Sequence, residues 1–584
     1  MMRLRGCLGP TFPKVFAPAL MLVLLMGVGC GTTAAPAPPP QPAVTVTPVQ
    51  ALPTAAAQAT LSPKKPQTAK NRAVAVIAVE PEHLAGIRNS DAHGGQLLDT
   101  ISGYMGHVDR DTRKAAPSSL IKSWRQTAPN QWEYELRPGV TFHDGAKWDV
   151  AAWQEYAKFA GVSKFPITSY AVSGPYTVEE AGPLKARVNC GGPCPLFEWA
   201  LYLSKTYSPK ALQAGEFTKM REPAGAGPYK VVQWTPGVKV VTAAFEGFTP
   251  APESPEFAAP LLAEIEWQWR EETTVRSAMI ETGEADWAFL LSLDDTKRLG
   301  ANRFVTGGTA EMAWYRIDTI WDPWLSKKEM RQAMVHSIDC QAIVEALFKG
   351  TTTCRGNFGI PEVTGITEKN IRAYEYNPTL ARQLLERIGY LCGRPSSAPN
   401  CEGEIKISSR ANRIAFHQEM VESMATYMKQ VGINAKPHFL EGSIRVAMRD
   451  CGIGIPGAQK AGWQGATESK KPPTCDPGQI LDIIGTGYED LDYGKFVGQR
   501  LQCDSAGGTV CIPELDAEWH RARELSGDER RRALEAIADV VREEVLGLPI
   551  FDLSAIYGIN PKLRGFEKPR FDKHLFANLW WFDK

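Results

Sequence analysis

An excess of charge of either sign is what this 584-residue sequence lacks: 65 acidic residues balance 65 Lys and Arg, and no Lys/Arg run or basic stripe appears. Nucleic acid is therefore excluded as a partner, because phosphate backbones are bound through clustered cations. Long apolar runs are scarce too. Beyond an N-terminal stretch, no segment of the roughly 20 apolar residues needed to span a bilayer occurs without charges, which excludes a multi-pass membrane protein. Only 9 histidines are scattered along the chain and no His-Glu-x-x-His occurs, so a metal-dependent hydrolase has no ligand set. Ser119-Leu120-Ile121-Lys122 fits the Ser-x-x-Lys pattern of acyl-serine hydrolases related to penicillin-binding proteins. The Lys-Thr-Gly and Ser-Asp-Asn partners of that pattern are missing. No catalytic residue, cofactor or metal is expected, and the Ser119/Lys122 hydrolase stands only as an alternative.

What is present begins with sparse positive charge (Arg3, Arg5, Lys14), an apolar stretch over 15–28 and the small pair Gly29-Cys30, the order of a secretory signal peptide over 1–30. Gly27-Val28-Gly29-Cys30 resembles a lipobox that would make Cys30 the lipidated residue. Gly27 stands where Leu is usual, and a signal cleaved elsewhere is the competing reading. Residues 31–70 are rich in Ala, Pro, Thr and Gln, with too little apolar surface to offset ordering entropy, so a solvated tether is expected. The remainder, 71–584, is too long for one ordinary core and implies at least two lobes.

Setting aside Cys7 and Cys30, the cysteines fall as neighbouring pairs: Cys190 with Cys194, Cys340 with Cys354, Cys392 with Cys401, Cys451 with Cys475, and Cys503 with Cys511. Such spacing in an exported chain favours short disulfide loops, with connectivity left open. A zinc site at Cys190-Gly-Gly-Pro-Cys194 would need a second ligand pair nearby, and none is present.

Helix ends are legible in places. Ser326 with Glu329 is a candidate capping box ahead of Met330, Ala333, Met334 and Ile338. Asp339 precedes Ile343, Val344, Leu347 and Phe348, with Gly350 as the stop, and Asn377-Pro378 pairs a cap with a first-turn proline before Leu384, Leu385 and Ile388. Two more stripes, Val421/Met424/Met428/Val431 and Leu534/Ile537/Val541/Val545 behind Ser526 and Glu529, read as core faces of helices. Runs rich in β-branched and aromatic residues predict strands at 74–79, 131–136, 229–234, 238–245, 265–269 and 404–408. Interleaved helices and strands give an α/β class with more than one sheet.

Several blocks then occur in a specific order. Ser123-Trp124 and Trp132-Glu133-Tyr134-Glu135-Leu136 lead to Phe142-His143-Asp144-Gly145. Gly225-Ala226-Gly227-Pro228-Tyr229 enters a strand, and Glu281-Thr282-Gly283-Glu284-Ala285-Asp286 follows. Met330-Arg331-Gln332-Ala333, Ser337-Ile338-Asp339, Tyr376-Asn377-Pro378 and Leu548-Pro549-Ile550-Phe551 complete the set. This order resembles the dipeptide- and oligopeptide-type extracellular solute-binding proteins, family 5. Each block also has a plain physical reading; His143-Asp144-Gly145 is a turn rather than a catalytic pair, since Gly tolerates positive φ and Asp bonds its own backbone.

The resemblance implies a two-lobed α/β fold in the manner of type II, cluster C periplasmic binding proteins. Lobe one would span 71–307 with a subdomain near 111–222, lobe two 308–546, and a C-terminal return 547–584 would rejoin lobe one. Segments 308–315 and 547–556 would cross between them. It further implies an exported, membrane-anchored monomer facing the periplasm or cell exterior that closes on a peptide-sized organic solute and delivers it to an ABC permease and ATPase; a non-transport sensor with the same fold is the alternative. Peptide binders of the family carry Ala-Gly-Trp with an acid three positions beyond the Trp. Here Ala461-Gly462-Trp463 is followed by Ala466, leaving Glu468 or Asp476 as substitutes. Trp463 is the expected stacking contact, and Trp314, Tyr315 and Arg316 at the first crossing, with Arg445 and Arg449 both as weaker candidates, complete the candidate ligand-binding set.

Overall fold

The computed structural model describes residues 70–81, 84, 92–109, 112, 114–162, 176–202, 204–214, 224–319, 322–390, 403–410, 414, 416–440, 479–482, 487, 491–503, 510–567 and 575–583. The chain divides into two compact units, Met1–Lys64 and Lys65–Lys584. The first, with Cys30 and most of the expected tether, lies outside the described residues, and the second carries everything below.

Ten strands build one sheet: β1 (Arg72–Ile77), β2 (Tyr229–Thr235), β3 (Lys239–Ala244), β4 (Glu264–Trp269), β5 (Trp287–Ala288), β6 (Phe304–Ile317), β7 (Ile405–Ser409), β8 (Ala435–Phe439), β9 (Gln479–Asp482) and β10 (Gly547–Ile559). Their spatial order is β2-β3-β4-β1-β5-β10-β6-β9-β7-β8. β1 runs parallel to β4 and β5, and β7 parallel to β8 and β9. Between these two parallel groups lie β10 and β6, antiparallel to each other and to their outer neighbours. All six runs read as strands from the sequence form strands, with ends displaced by two residues at most.

Local chemistry sets several helix starts. Helices α1 (Lys328–Ser337), α2 (Cys340–Phe348), α3 (Pro378–Arg387), α4 (His417–Gln430) and α5 (Gly527–Glu544) follow one another along the second half of the chain. Asp339 accepts from the Ala342 amide and Asn377 from the Leu380 amide, each satisfying an orphan donor of the first turn. The Ser326–Glu329 box does not form. Asp322 accepts from the amides of Trp324 and Leu325, and the buried Arg331 guanidinium holds the carbonyls of Leu325 and Ser326. Ser326 donates to the Pro323 carbonyl instead, and α1 starts after an uncapped Lys327. At α5, Ser526 occupies the N-cap position without a side-chain cap bond.

A four-stranded antiparallel sheet, with strands Ile121–Ala128, Gln131–Leu136, Lys185–Cys190 and Tyr176–Gly182 adjacent in that order, has a separate core of Trp132, Tyr134, Phe142, Trp148, Trp153 and Phe197 among others. The turn after Phe142 closes with Gly145 at φ +83° and its amide on the Phe142 carbonyl (2.9 Å). His143 docks the glycine-rich block: its amide donates to the Gly225 carbonyl (2.8 Å), and its Nε2 lies 3.1 Å from the Gly227 carbonyl. Two blocks about eighty residues apart in sequence (|i−j| = 84) are thereby one structural unit. Disulfides join Cys190–Cys194, Cys340–Cys354 and Cys503–Cys511. The pairs 392/401 and 451/475 lie outside the described residues.

Candidate functional site

β6 and β10 pair from Phe304↔Gly558 at one end to Arg316↔Gly547 at the other. The core changes along them. Ala555 and Tyr557 join a cluster containing Trp267, Trp287 and Trp580, and Ile556 packs with Ile280 and Leu291. Leu548, Ile550, Phe551 and Leu553 instead pack with Met330, Ile343, Met420 and Met424 from α1, α2 and α4. β6 repeats the change: Phe304 abuts the Ile280 cluster, Ala313, Tyr315 and Ile317 join the Met330 cluster, and Met312 and Trp314 enter a third cluster with Phe496, Trp519 and Leu534.

The switch falls between Leu553 and Ala555, where Gly308 pairs with Ser554, and β6 carries register shifts between Gly308 and Met312 and between Ala313 and Trp314. Such bulges bend a strand and re-aim its side chains. Two packed bodies joined by two strands that trade one core for another are the geometry of hinge closure.

Acidic groups stand at this switch. Glu311 is buried in β6 and bridges Gly487 through its backbone. Asp552 of β10 pairs with Met312, and Arg355 donates through Nε (2.8 Å) and a terminal nitrogen (2.5 Å) to its Oδ2. Asp552 Oδ1 is buried and accepts no hydrogen bond, the one carboxylate oxygen in that condition among the described residues. Burial pushes the Asp552 carboxyl above the usual carboxylate range; Arg355 opposes the rise and Glu362 adds to it.

Backbone bonds hold Arg355 in place. Its amide donates to the Ile550 carbonyl (2.9 Å), the Asp552 amide donates to the Thr353 carbonyl (3.1 Å), and Cys354, disulfide-linked to Cys340, bridges Phe551. The arrangement can accept a hydrogen-bond donor at a carboxylate already fixed from its other side.

Trp314 and Tyr315 are 2% and 0% exposed. Trp314 stands edge-on to Phe496, with ring centroids 4.9 Å apart, and the Tyr315 hydroxyl lies 3.3 Å from His417 Nε2 in a different cluster. Packing accounts for both. Arg316 is buried between β9 and β10, where it pairs with Leu481 and Gly547. Trp463, Arg445, Arg449, Ala466, Glu468 and Asp476 lie outside the described residues.

Among the described residues, Ser119 and Lys122 do not come together as a nucleophile and base. Ser119 is buried and accepts from the Tyr104 amide, while the half-exposed Lys122 ammonium donates to Glu135. The bonded Cys190 and Cys194 have no thiolates to offer a metal. Sequence reasoning missed Glu311, Arg355 and Asp552. The signal available was an acid interrupting each of two apolar strand sequences, Thr-Ala-Glu311-Met-Ala and Ile-Phe-Asp552-Leu-Ser.

Residues 117–468 match the family described as bacterial extracellular solute-binding proteins, family 5 Middle. The glutathione-binding protein GsiB of Salmonella paratyphi A is 25% identical over 318 residues, which is 53% of this chain and 58% of that protein. The chain thus spans under two thirds of the length of that curated relative. Solved structures share the fold, two of them as follows. The periplasmic binding protein DppA from Helicobacter pylori, in complex with the peptide STSA, superposes with TM-score 0.70 at 14% identity, covering 88% of this chain and 99% of that one. AgaA from A. tumefaciens R10, in complex with agropinic acid, gives 0.71 at 16% identity over the same shares. The fold is accordingly the two-lobed α/β binding-protein fold.

Proposed function

We propose a function from one premise: the chain belongs to the bacterial extracellular solute-binding proteins, family 5. The protein captures a peptide-sized organic solute between its lobes and hands it to an ABC permease and ATPase. What carries the reading is the change of core along β6 and β10, which leaves two bodies joined by a pair of strands. A solute touching both bodies stabilises the closed form by its differential affinity, and no bond need be broken. The named ligands of the relatives, glutathione, a peptide and agropinic acid, set the size class.

The proposal places lobe one at 71–307 with 547–584 and lobe two at 308–546. Trp463, Arg316 and Arg445 are proposed solute contacts, and Cys30 is the proposed lipid attachment site of an exported monomer. The test is native mass spectrometry of the protein purified from cell extract, followed by small-angle scattering with and without the retained molecule. One small molecule per chain and a smaller radius of gyration on binding are expected. No retained mass, and an envelope unchanged by any candidate solute, would end this reading.

A further inference from the structure

A buried acceptor without a donor is uncommon in folded proteins, and where one persists a water, an ion or a ligand usually meets it. Asp552 Oδ1 is such an acceptor, and it sits on a strand that passes from one core to the other. We propose that Asp552 Oδ1 receives an ammonium group of the captured solute while Arg355 fixes the carboxylate through Oδ2. This inference rests on the solute-capture reading and names the chemistry that one end of the solute must carry.

Three observations support an ammonium over a neutral donor. Arg355 spends both of its bonds to Asp552 on Oδ2, so the lone pairs of Oδ1 remain in a fixed direction. The side chains of Arg355 and Asp552 are 16% and 18% exposed while Oδ1 itself is buried, so the pair reaches the surface at its edge and the open acceptor is shielded from bulk water. Burial and the nearby Glu362 make negative charge at this carboxyl costly, and a cation placed at Oδ1 offsets that cost where a neutral donor does so only weakly. An amino terminus and a lysine-type side chain would both supply the group.

The experiment compares three probes by calorimetry on the full chain: tetra-alanine, N-acetyl-tetra-alanine, and N-acetyl-trialanyl-lysine, which carries only a side-chain ammonium. Wild type is expected to bind one of the two ammonium-bearing probes at least about tenfold more tightly than N-acetyl-tetra-alanine, which has none, and the better of them identifies the source of the ammonium. In Asp552→Asn that contrast should collapse; because it is taken within each variant, a general weakening cancels. A contrast that survives in Asp552→Asn, or equal binding of all three to wild type, overturns the inference and leaves solute capture standing. A crystal structure of wild type with its retained molecule tests the same point without a variant: a ligand nitrogen within hydrogen-bond distance of Oδ1 is expected, and an ordered water or nothing in that place overturns it. A wild type that retains nothing and binds no probe overturns both readings together.

Discussion

The indole of Trp314 lies directly on the backbone of Gly547, so that a Cβ at 547 would fall inside the ring system, 2.6 Å from Nε1 and closer still to its carbons. The contact pins the start of β10 against β6 where the chain returns from α5. Gly547→Ala is therefore expected to destabilise by about 1–3 kcal/mol through overpacking. Trp314→Ala removes the ring that meets Phe496 and Phe358 and should cost about 3–5 kcal/mol. Urea unfolding midpoints measure both; a Gly547→Ala protein as stable as wild type would contradict the packing.

The Gly-Glu-Ala-Asp block has a physical reason at its last residue. Asp286 is fully buried and accepts from the Val74 amide (2.8 Å), Lys70 (2.6 Å) and Asn560 Nδ2 (2.9 Å), tying the start of β1 to the end of β10. Asp286→Ala leaves these donors without their acceptor and should cost about 3 kcal/mol. Asn560→Ala should cost less, because it removes one of the three bonds. Equilibrium denaturation of both variants checks the order.

The Cys340–Cys354 disulfide closes a loop of sequence separation 14 and sets the segment bearing Arg355 against β10. On loop-closure entropy, Cys340→Ser with Cys354→Ser should lower stability by about 3 kcal/mol. Thermal unfolding of the double variant is the measurement, and an unchanged midpoint would show that packing alone holds the segment.

Glu198 gives a pH dependence with a definite sign. Burial raises its carboxyl above the usual range, although Trp124 Nε1 donates to it at 2.6 Å. The folded state thus holds this proton more tightly than the unfolded chain does, so the stability contribution falls as pH rises from the unfolded to the folded value. Glu198→Gln keeps an acceptor for the indole and removes that decline. Its stability relative to wild type should therefore rise as the pH is raised from the unfolded carboxylate value through the higher folded one. A difference independent of pH would contradict the assignment.

Features governed by neighbours in the chain were legible. Asp339 and Asn377 cap because a side-chain oxygen reaches an amide three residues on. The strands follow from β-branched runs, and the ordered blocks name the fold. The Ser326–Glu329 box failed because it faced a competitor elsewhere in the fold: Arg331, itself bonded to carbonyls of Glu544 and Val545, holds the chain ahead of α1 in another path. Trp314 and Tyr315 looked like cleft residues because aromatics at a crossing suit a ligand equally well. Which face each presents depends on bulges in β6 that no run of letters announces.

By itself the sequence determined the mixed α/β class and the order of the helices and strands read from it, since each depends on propensity and spacing along the chain; the crossings near 308–315 and 547–556 came only from the family resemblance. Only the tertiary structure decided that Arg355 meets Asp552 across 197 residues and that one carboxylate oxygen is left open there. A pairing so distant is selected by sheet register and by the burial it brings, and those are properties of the folded chain as a whole.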